Sequence, residues 1–204
     1  LIANGEPVAL FLDVDGTLLD VALTPSTVHV PSHLPKLLDE IADRLHGALA
    51  IVTGRPLEEV DRLLHPAKFV AAGVHGGQMR FSNKGKIETL TPGFDATLAA
   101  DLKKMAEGLP GVVYEDKGSG IALHYRLAPE LQSSLLMSLE ALLPEYPNEF
   151  SICEGRKVVE VLPVGFSKGR ALRKLASLPA FTSRIPVMVG DDIADVDAFR
   201  AAED

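Results

Sequence analysis

Val8-Ala9-Leu10-Phe11-Leu12-Asp13-Val14-Asp15-Gly16-Thr17 is the stretch on which the reading of the fold turns. Val8 to Leu12 is apolar without a break. A run of that length with no polar alternation reads as a strand covered on both faces, which is the situation in a parallel sheet. The run stops abruptly at two carboxylates, and Gly16 permits a tight turn that few other residues can make. Along an extended chain Asp13 and Asp15 point to one side and Val14 to the other.

The same pattern continues outward. Leu34, Leu37, Leu38, Ile41, Ala42 and Leu45 mark one face of a helix. Ala48 to Val52 is a second buried strand, followed by Thr53-Gly54-Arg55-Pro56. Pro56 fits the first turn of a further helix, whose face is Leu57, Val60, Leu63 and Leu64. Phe69 to Ala72 makes a third short strand. Strand, helix, strand, helix, strand predicts an α/β fold, a doubly wound parallel-sheet, Rossmann-like core with right-handed crossovers.

From Gln78 to Leu162 the rhythm changes. Met79 to Phe81 and Ile87 with Glu88 flank a glycine-containing turn. A helix is expected from Phe94 to Glu107, and strands at Val112 to Glu115 and Ile121 to Arg126. A helix opening at Pro129 and a strand pair at Phe150 to Cys153 and Lys157 to Leu162 complete the segment. This predicts an inserted α+β cap module, a four-stranded antiparallel sheet with two helices, over residues 78–162. The core is then 1–77 with 163–204, where a helix after Ser167, the strand Pro186 to Val189 and Gly190-Asp191-Asp192 restore the α/β rhythm. A further core strand is expected beyond Asp204.

Composition narrows the function. The 204 residues are 47% hydrophobic and 24% charged, enough apolar material for a packed interior and too little charge for a disordered chain. Lys and Arg number 20 against 28 Asp and Glu, a net charge of −8 with no basic cluster, so a nucleic-acid binder held by phosphate contacts is not expected. No apolar run approaches the roughly 20 residues of a membrane helix, and no targeting leader is read at the N-terminus. The single Cys153 cannot form an internal disulfide; a cytoplasmic protein is expected.

In open α/β sheets, chemistry gathers beyond the carboxyl ends of the strands. Asp13 and Asp15 fall there after the first strand, Thr53 after the second, and Asp191 and Asp192 after the last. Carboxylates from two separate strands make a hard, oxygen-rich site suited to Mg²⁺. Single aspartates cap helices and turns far more often than they catalyse; four at the ends of two buried strands, with a Lys and a Thr in register, are a different matter.

The order Asp13-Val-Asp15-Gly-Thr17, Thr53-Gly-Arg55, Lys168 and Gly190-Asp191-Asp192 resembles the haloacid dehalogenase superfamily of phosphohydrolases, across nearly the whole chain. The insertion is similar to the α/β cap of the sugar-phosphatase branch. Phe11 to Leu18, Ile51 to Arg55, Gly73-Val-His-Gly-Gly77, His124-Tyr-Arg126, Gly155 to Val161 and Gly190 to Asp195 resemble the trehalose-phosphate phosphatases within that branch. The resemblance implies that Asp13 is the nucleophile and Asp15 the general acid and base. It implies Mg²⁺ held by Asp13, the backbone carbonyl of Asp15, and Asp191. Thr53 and Gly54, with Arg55 beside them, are implied to bind the phosphoryl group, and Lys168 to pair with Asp13 and the phosphate. Asp192 and Asp195 are implied to orient metal waters and Lys168. The family commonly has Thr-Asp-Glu where this chain has Ala194-Asp195-Val196, a departure that bears on metal affinity.

The leaving group is expected to be chosen by the inserted module. By resemblance the candidates are Arg126, Lys157 and Glu160, with His75 near the junction of the two modules. Lys157 and Glu160 are three apart, which on a regular strand puts them on opposite faces. Glu160 lies within Val158 to Leu162, where a carboxylate needs a task or a partner. His29, His33, His46 and His65 have no metal-ligand spacing, and Cys153 reads as a small buried apolar residue. The expected substrate is trehalose 6-phosphate, with a functional link to a trehalose-6-phosphate synthase. Alternatives are another sugar phosphate (sucrose phosphate, mannosyl-phosphoglycerate or a hexose phosphate), a phosphomutase, and a silent sugar-phosphate-binding domain.

Overall fold

The computed structural model describes residues 7–21, 28–91, 93–146 and 149–203. In chain order the elements are β1 (Val8–Leu12), α1 (Leu34–Arg44), β2 (Leu49–Val52), α2 (Leu57–Leu63), β3 (Val70–Gly73), β4 (Gln78–Arg80) and β5 (Glu88–Thr89). There follow α3 (Ala96–Glu107), β6 (Val113–Asp116), β7 (Ile121–His124), α4 (Gln132–Leu142), β8 (Phe150–Gly155), β9 (Val158–Pro163), α5 (Lys168–Ala176), β10 (Ile185–Val189) and α6 (Val196–Glu203). The chain forms two compact units, Leu1–Leu90 with Ser167–Asp204, and Thr91–Phe166.

The first unit is built on a sheet of order β10-β1-β2-β3-β4-β5. Its β10, β1, β2 and β3 run parallel. Side chains alternate across them. Ala9, Phe11, Ala50 and Val52 pack against Ala171, Leu172 and Leu175 of α5 and Ala198 of α6. Leu49, Ile51 and Ala71 pack against Leu38 of α1 and Leu57 and Val60 of α2. Each such large side chain stabilises the fold by about 1.5–3 kcal/mol through its burial. The register aligns the strand ends: Leu12 lies opposite both Val189 and Ile51, and Val52 opposite Ala72. Whatever follows those residues therefore emerges side by side.

The segment 78–89 belongs to this sheet. Gln78–Arg80 pairs antiparallel with β3, and Glu88–Thr89 with β4. The hairpin expected from the sequence forms, but as the edge of the core sheet rather than the start of the inserted module. The two units accordingly part between Leu90 and Thr91 and between Phe166 and Ser167, not at 77/78 and 162/163. The physical reason lies at the end of β3, where the chain reverses within Val74–Gly77 with no crossover helix, so the next strand returns beside the one it left. Met79 is buried in the core cluster. The buried Arg80 donates to both carboxylate oxygens of Asp61 at 2.7 and 2.8 Å and to the Phe69 carbonyl at 2.8 Å, fixing β4 to its neighbours.

The second unit is an antiparallel sheet of order β6-β7-β9-β8 with α3 and α4. Asp95 caps α3, its carboxylate accepting from the Thr97 and Leu98 amides at 2.8 Å. Ile121, Leu123, Val159 and Val161 form the helix-covered face, packed against Leu98, Leu102, Leu135 and Leu139. Directly opposite residues share a face, so Glu115, Ala122, Glu160 and Cys153 line up in one row on the other face. Cys153 there is half-buried rather than enclosed. Among the described residues no helix is long and apolar enough to cross a membrane.

Candidate active site

Asp13 follows β1 directly, and its amide donates to the Val189 carbonyl at 2.9 Å, so the residue is held as an extension of the sheet. Its carboxylate is almost wholly buried. Oδ1 accepts from Lys168 Nζ at 2.7 Å, and Lys168 donates equally, at 2.7 Å, to Oδ1 of the fully buried Asp195. Lys168 is the first residue of α5, set there by Ser167, whose hydroxyl accepts from the Arg170 amide. Burial pushes the Asp13 carboxyl up, Lys168 pulls it down and the Asp195 charge raises it, the balance holding it at about 6. Burial opposes the charge of Lys168, but its two carboxylate partners outweigh that and hold its pKa above the ordinary range.

Asp195 organises more than the lysine. Its Oδ2 accepts from the Asp191 and Asp192 amides at 3.2 and 3.0 Å. Asp192 closes the reciprocal half of a capping box, its carboxylate accepting from the Asp195 amide, and it also accepts from the Ile193 amide at 2.6 Å. The group that holds Lys168 is thus Asp195, and Asp192 shapes the turn that presents Asp191. Carboxylate oxygens of Asp13, Asp191 and Asp195 lie within 4.8 Å of one another. This is a hard oxygen donor set of the kind that suits a divalent cation. Asp195 is committed on both oxygens to nitrogen donors, which leaves Asp13 and Asp191 as the pair suited to a metal.

Asp15 is engaged differently. Arg55 Nε donates to its Oδ2 at 2.7 Å and Arg55 Nη2 to its Oδ1 at 2.6 Å, a two-pronged pairing. The third prong of the buried Arg55 meets Glu59 Oε1 at 2.9 Å. Arg55, a substrate-binding candidate in the sequence, directs its guanidinium in this structure at these two carboxylates. Glu59, one turn along α2, was not singled out by the sequence; its only signal there is the i, i+4 spacing from Arg55.

The loops after β2 and β3 are joined through backbone. The Thr53 hydroxyl accepts from the Arg55 amide at 3.2 Å, its carbonyl from the His75 amide at 3.1 Å, and the Arg55 carbonyl from the Val74 amide at 3.1 Å. Thr53 is buried and Gly54 half-buried. Val74, His75 and Gly76 all have left-handed backbone, with φ of 45, 53 and 98°. For a β-branched valine and a buried histidine this is a strained conformation of the sort that accumulates at functional sites.

The remaining candidates lie in the second unit. Glu160 is buried, and its Oε1 accepts from Lys117 Nζ. In the same face His124 Nε2 is 2.7 Å from Glu115 Oε2. Burial opposes ionisation of Glu115, but the bond to His124 and the nearby Lys117 charge outweigh it and hold its pKa below the ordinary value. Glu115, Lys117, His124 and Glu160 thus form one polar cluster on the sheet face away from α3 and α4. Arg126 and Lys157 meet other groups at the β8–β9 turn. Lys157 sits in the β8–β9 turn with φ 65°, its Nζ 6.0 Å from the centroid of the Tyr125 ring, which belongs to the helix-side core. Arg126 donates to the Arg156 carbonyl at 3.2 Å, at the same turn. Three residues of strand, about 10 Å, separate Lys157 from Glu160.

A parallel sheet with paired carboxylates at its strand ends, a buried lysine bridging two of them and an inserted α+β unit define a capped haloacid-dehalogenase-type fold. Solved structures agree: the C-terminal domain of the C. albicans trehalose-6-phosphate phosphatase superposes with a TM-score of 0.84 at 22% identity, over 97% of this chain and 74% of that one. A sucrose-phosphatase from Synechocystis has a TM-score of 0.61 at 18% identity, over 97% of this chain and 80% of that one. The trehalose-phosphatase family model matches residues 11–204, and the chain belongs to that family. It is 42% identical over 193 residues to a probable trehalose-phosphate phosphatase of Sinorhizobium fredii, covering 94% of this chain and 72% of that one. It is 35% identical over 192 residues to the trehalose-6-phosphate phosphatase of Escherichia coli, again 94% and 72%.

Proposed function

We propose that this protein hydrolyses trehalose 6-phosphate to trehalose and phosphate, a step of trehalose biosynthesis, through a phosphorylated Asp13. The observation that carries the reading is the buried Asp13–Lys168–Asp195 triad beside Asp191, in a chain of the trehalose-phosphatase family. An oxygen of Asp13 attacks phosphorus, the bond from phosphorus to the sugar oxygen breaks, and Asp15 gives its proton to that oxygen as it leaves. Water then attacks the phosphorus of the aspartyl-phosphate, Asp15 takes the proton, and phosphate departs with Asp13 restored. Lys168 holds Asp13 in place and offsets the charge that spreads over the phosphoryl oxygens. Thr53 and the Gly54 amide hold those oxygens in line.

Asp13, Asp191 and the Asp15 carbonyl would hold Mg²⁺. When bound, the metal would supply positive charge that offsets the repulsion of an anionic nucleophile and an anionic phosphate. Asp192 keeps the loop of Asp191 in shape, and Asp195 fixes Lys168. The cluster of Glu115, Lys117, His124 and Glu160 supplies donors and acceptors for sugar hydroxyls, and Arg126, Lys157 and His75 are further candidates for the same head group. The synthase that makes trehalose 6-phosphate is the functional partner.

The test is phosphate release with Mg²⁺ from trehalose 6-phosphate, sucrose 6-phosphate and glucose 6-phosphate side by side. A preference of about 100-fold for the trehalose ester, worth about 2.7 kcal/mol in transition-state binding, is expected. EDTA should abolish it and added Mg²⁺ restore it. Equal rates on all three esters refute the substrate assignment, and no release from any refutes the chemistry.

A further inference from the structure

Beyond the groups that meet the substrate, the loop after β2 contains a second, indirect device. Arg55 is fixed along its whole length. Its amide donates to Thr53 Oγ1 and its carbonyl accepts from Val74, so the backbone cannot turn. Its guanidinium spends Nε and Nη2 on the two oxygens of Asp15, at 2.7 and 2.6 Å. Nη1 goes to Glu59 Oε1 at 2.9 Å, and Glu59 Oε1 also meets Arg62 Nη2 at 3.2 Å. The side chain of Arg55 is 8% exposed and that of Glu59 18%. Because a guanidinium is planar and its donors are fixed relative to one another, holding the Nη1 edge fixes the direction of the Nε–Nη2 edge. That direction in turn sets the plane of the Asp15 carboxylate, whose oxygens each retain a second lone pair.

We infer that Glu59 is a positioning residue, acting through Arg55 to set the plane in which Asp15 exchanges its proton with the sugar oxygen. This rests on the reading of Asp15 as general acid and base. Nothing in the chemistry requires Glu59 to touch the phosphate, the metal or the sugar. Its effect is therefore confined to the steps in which a proton moves: departure of a leaving oxygen that needs one, and attack of water on the aspartyl-phosphate, which a pre-steady-state burst does not report. A sugar alkoxide is a poor leaving group without protonation. A p-nitrophenolate leaves readily as the anion, so formation of the aspartyl-phosphate from p-nitrophenyl phosphate does not depend on the acid.

The experiment compares the full-length wild type with Glu59→Gln, Glu59→Asp and Asp15→Asn on trehalose 6-phosphate at steady state and on p-nitrophenyl phosphate by rapid mixing. Glu59→Gln should lower kcat on the sugar ester about tenfold, a share of the 10²–10⁴ that general acid–base catalysis contributes. KM and the thermal midpoint should stay within twofold and about 2 °C of wild type, and the nitrophenolate burst should keep its rate. Glu59→Asp, which keeps the charge, should recover part of the loss. An equal fall in sugar turnover and burst rate, or no fall in either, overturns the inference. Asp15→Asn separates this from the reading beneath it. If it too leaves sugar turnover intact, Asp15 is not the acid and the fault lies in that assignment rather than in Glu59.

Discussion

The Asp191 carboxylate occupies the space that a side chain on Gly16 would need. A β-carbon placed there would come within 2.1 Å of Asp191 Oδ2, and the Gly16 backbone, at φ 85°, lies in the left-handed region. The turn that carries Asp13 and Asp15 out of β1 and the turn that carries Asp191 out of β10 therefore fit only because one of them lacks a β-carbon. Gly16→Ala should displace Asp191, add about 1–2 kcal/mol of backbone strain, and weaken Mg²⁺ binding at least tenfold by calorimetric titration. Unchanged metal affinity would show that Asp191 is not a ligand.

Removing the lysine of the buried triad leaves two enclosed carboxylates facing one another. Lys168→Met should cost about 3–5 kcal/mol in urea unfolding, the size seen when one partner of a buried pair is deleted, and reduce turnover to background. Adding Asp13→Asn to Lys168→Met should return much of the stability and none of the activity. Additive losses in the double variant would mean the two groups are not coupled.

For the sheet face of the second unit, Glu160→Ala and Lys117→Met should each lower kcat/KM for trehalose 6-phosphate about 100-fold, the cost of leaving a buried charged partner without its hydrogen bond. Aspartyl-phosphate formation from p-nitrophenyl phosphate should change less than threefold. Comparable losses on both esters would make the pair structural only.

Glu115 gives a pH dependence with a definite sign. Its pKa is held below the ordinary 4.5 in the folded protein, so the unfolded chain takes up its proton first as pH falls. The stabilisation is present above that ordinary value and is lost as pH drops through the lower, folded pKa. The difference in urea midpoint between wild type and Glu115→Gln should hold from pH 7 to 5 and shrink below pH 4.5. A difference that widens on acidification would reverse the assignment.

What could be read from the sequence follows from how local each signal is. The apolar run Val8–Leu12 ending in Asp13 states both a buried strand and a polar group at its end, and Gly190-Asp191 after a second such run repeats it. The Glu59 contact could not be read, because an arginine four residues before a glutamate at a helix start is common on protein surfaces as well. Lys117 was equally silent: its register against Glu160 passes through β7, and only the assembled sheet sets it. Residues 78–89 announce a hairpin but not which sheet it joins, since that depends on the chain reversal at Val74–Gly77. The spacing of Lys157 and Glu160 already implied opposite faces of the strand, and the assembled sheet keeps them apart.

Asp195 holds donors at both ends of one carboxylate, the Lys168 ammonium on Oδ1 and two peptide N–H groups on Oδ2. Asparagine has the same shape, but one of its ends is itself a donor. Whichever way the amide flips, an NH₂ faces either an ammonium or a pair of amides, so the nearest isostere is wrong in both orientations. The position thus demands two-fold acceptor symmetry rather than size or charge alone, and a glutamate, one methylene longer, cannot serve both ends from the same backbone position. One side chain in this way makes Lys168 and the loop of Asp191, 23 residues apart in sequence, a single mutational target.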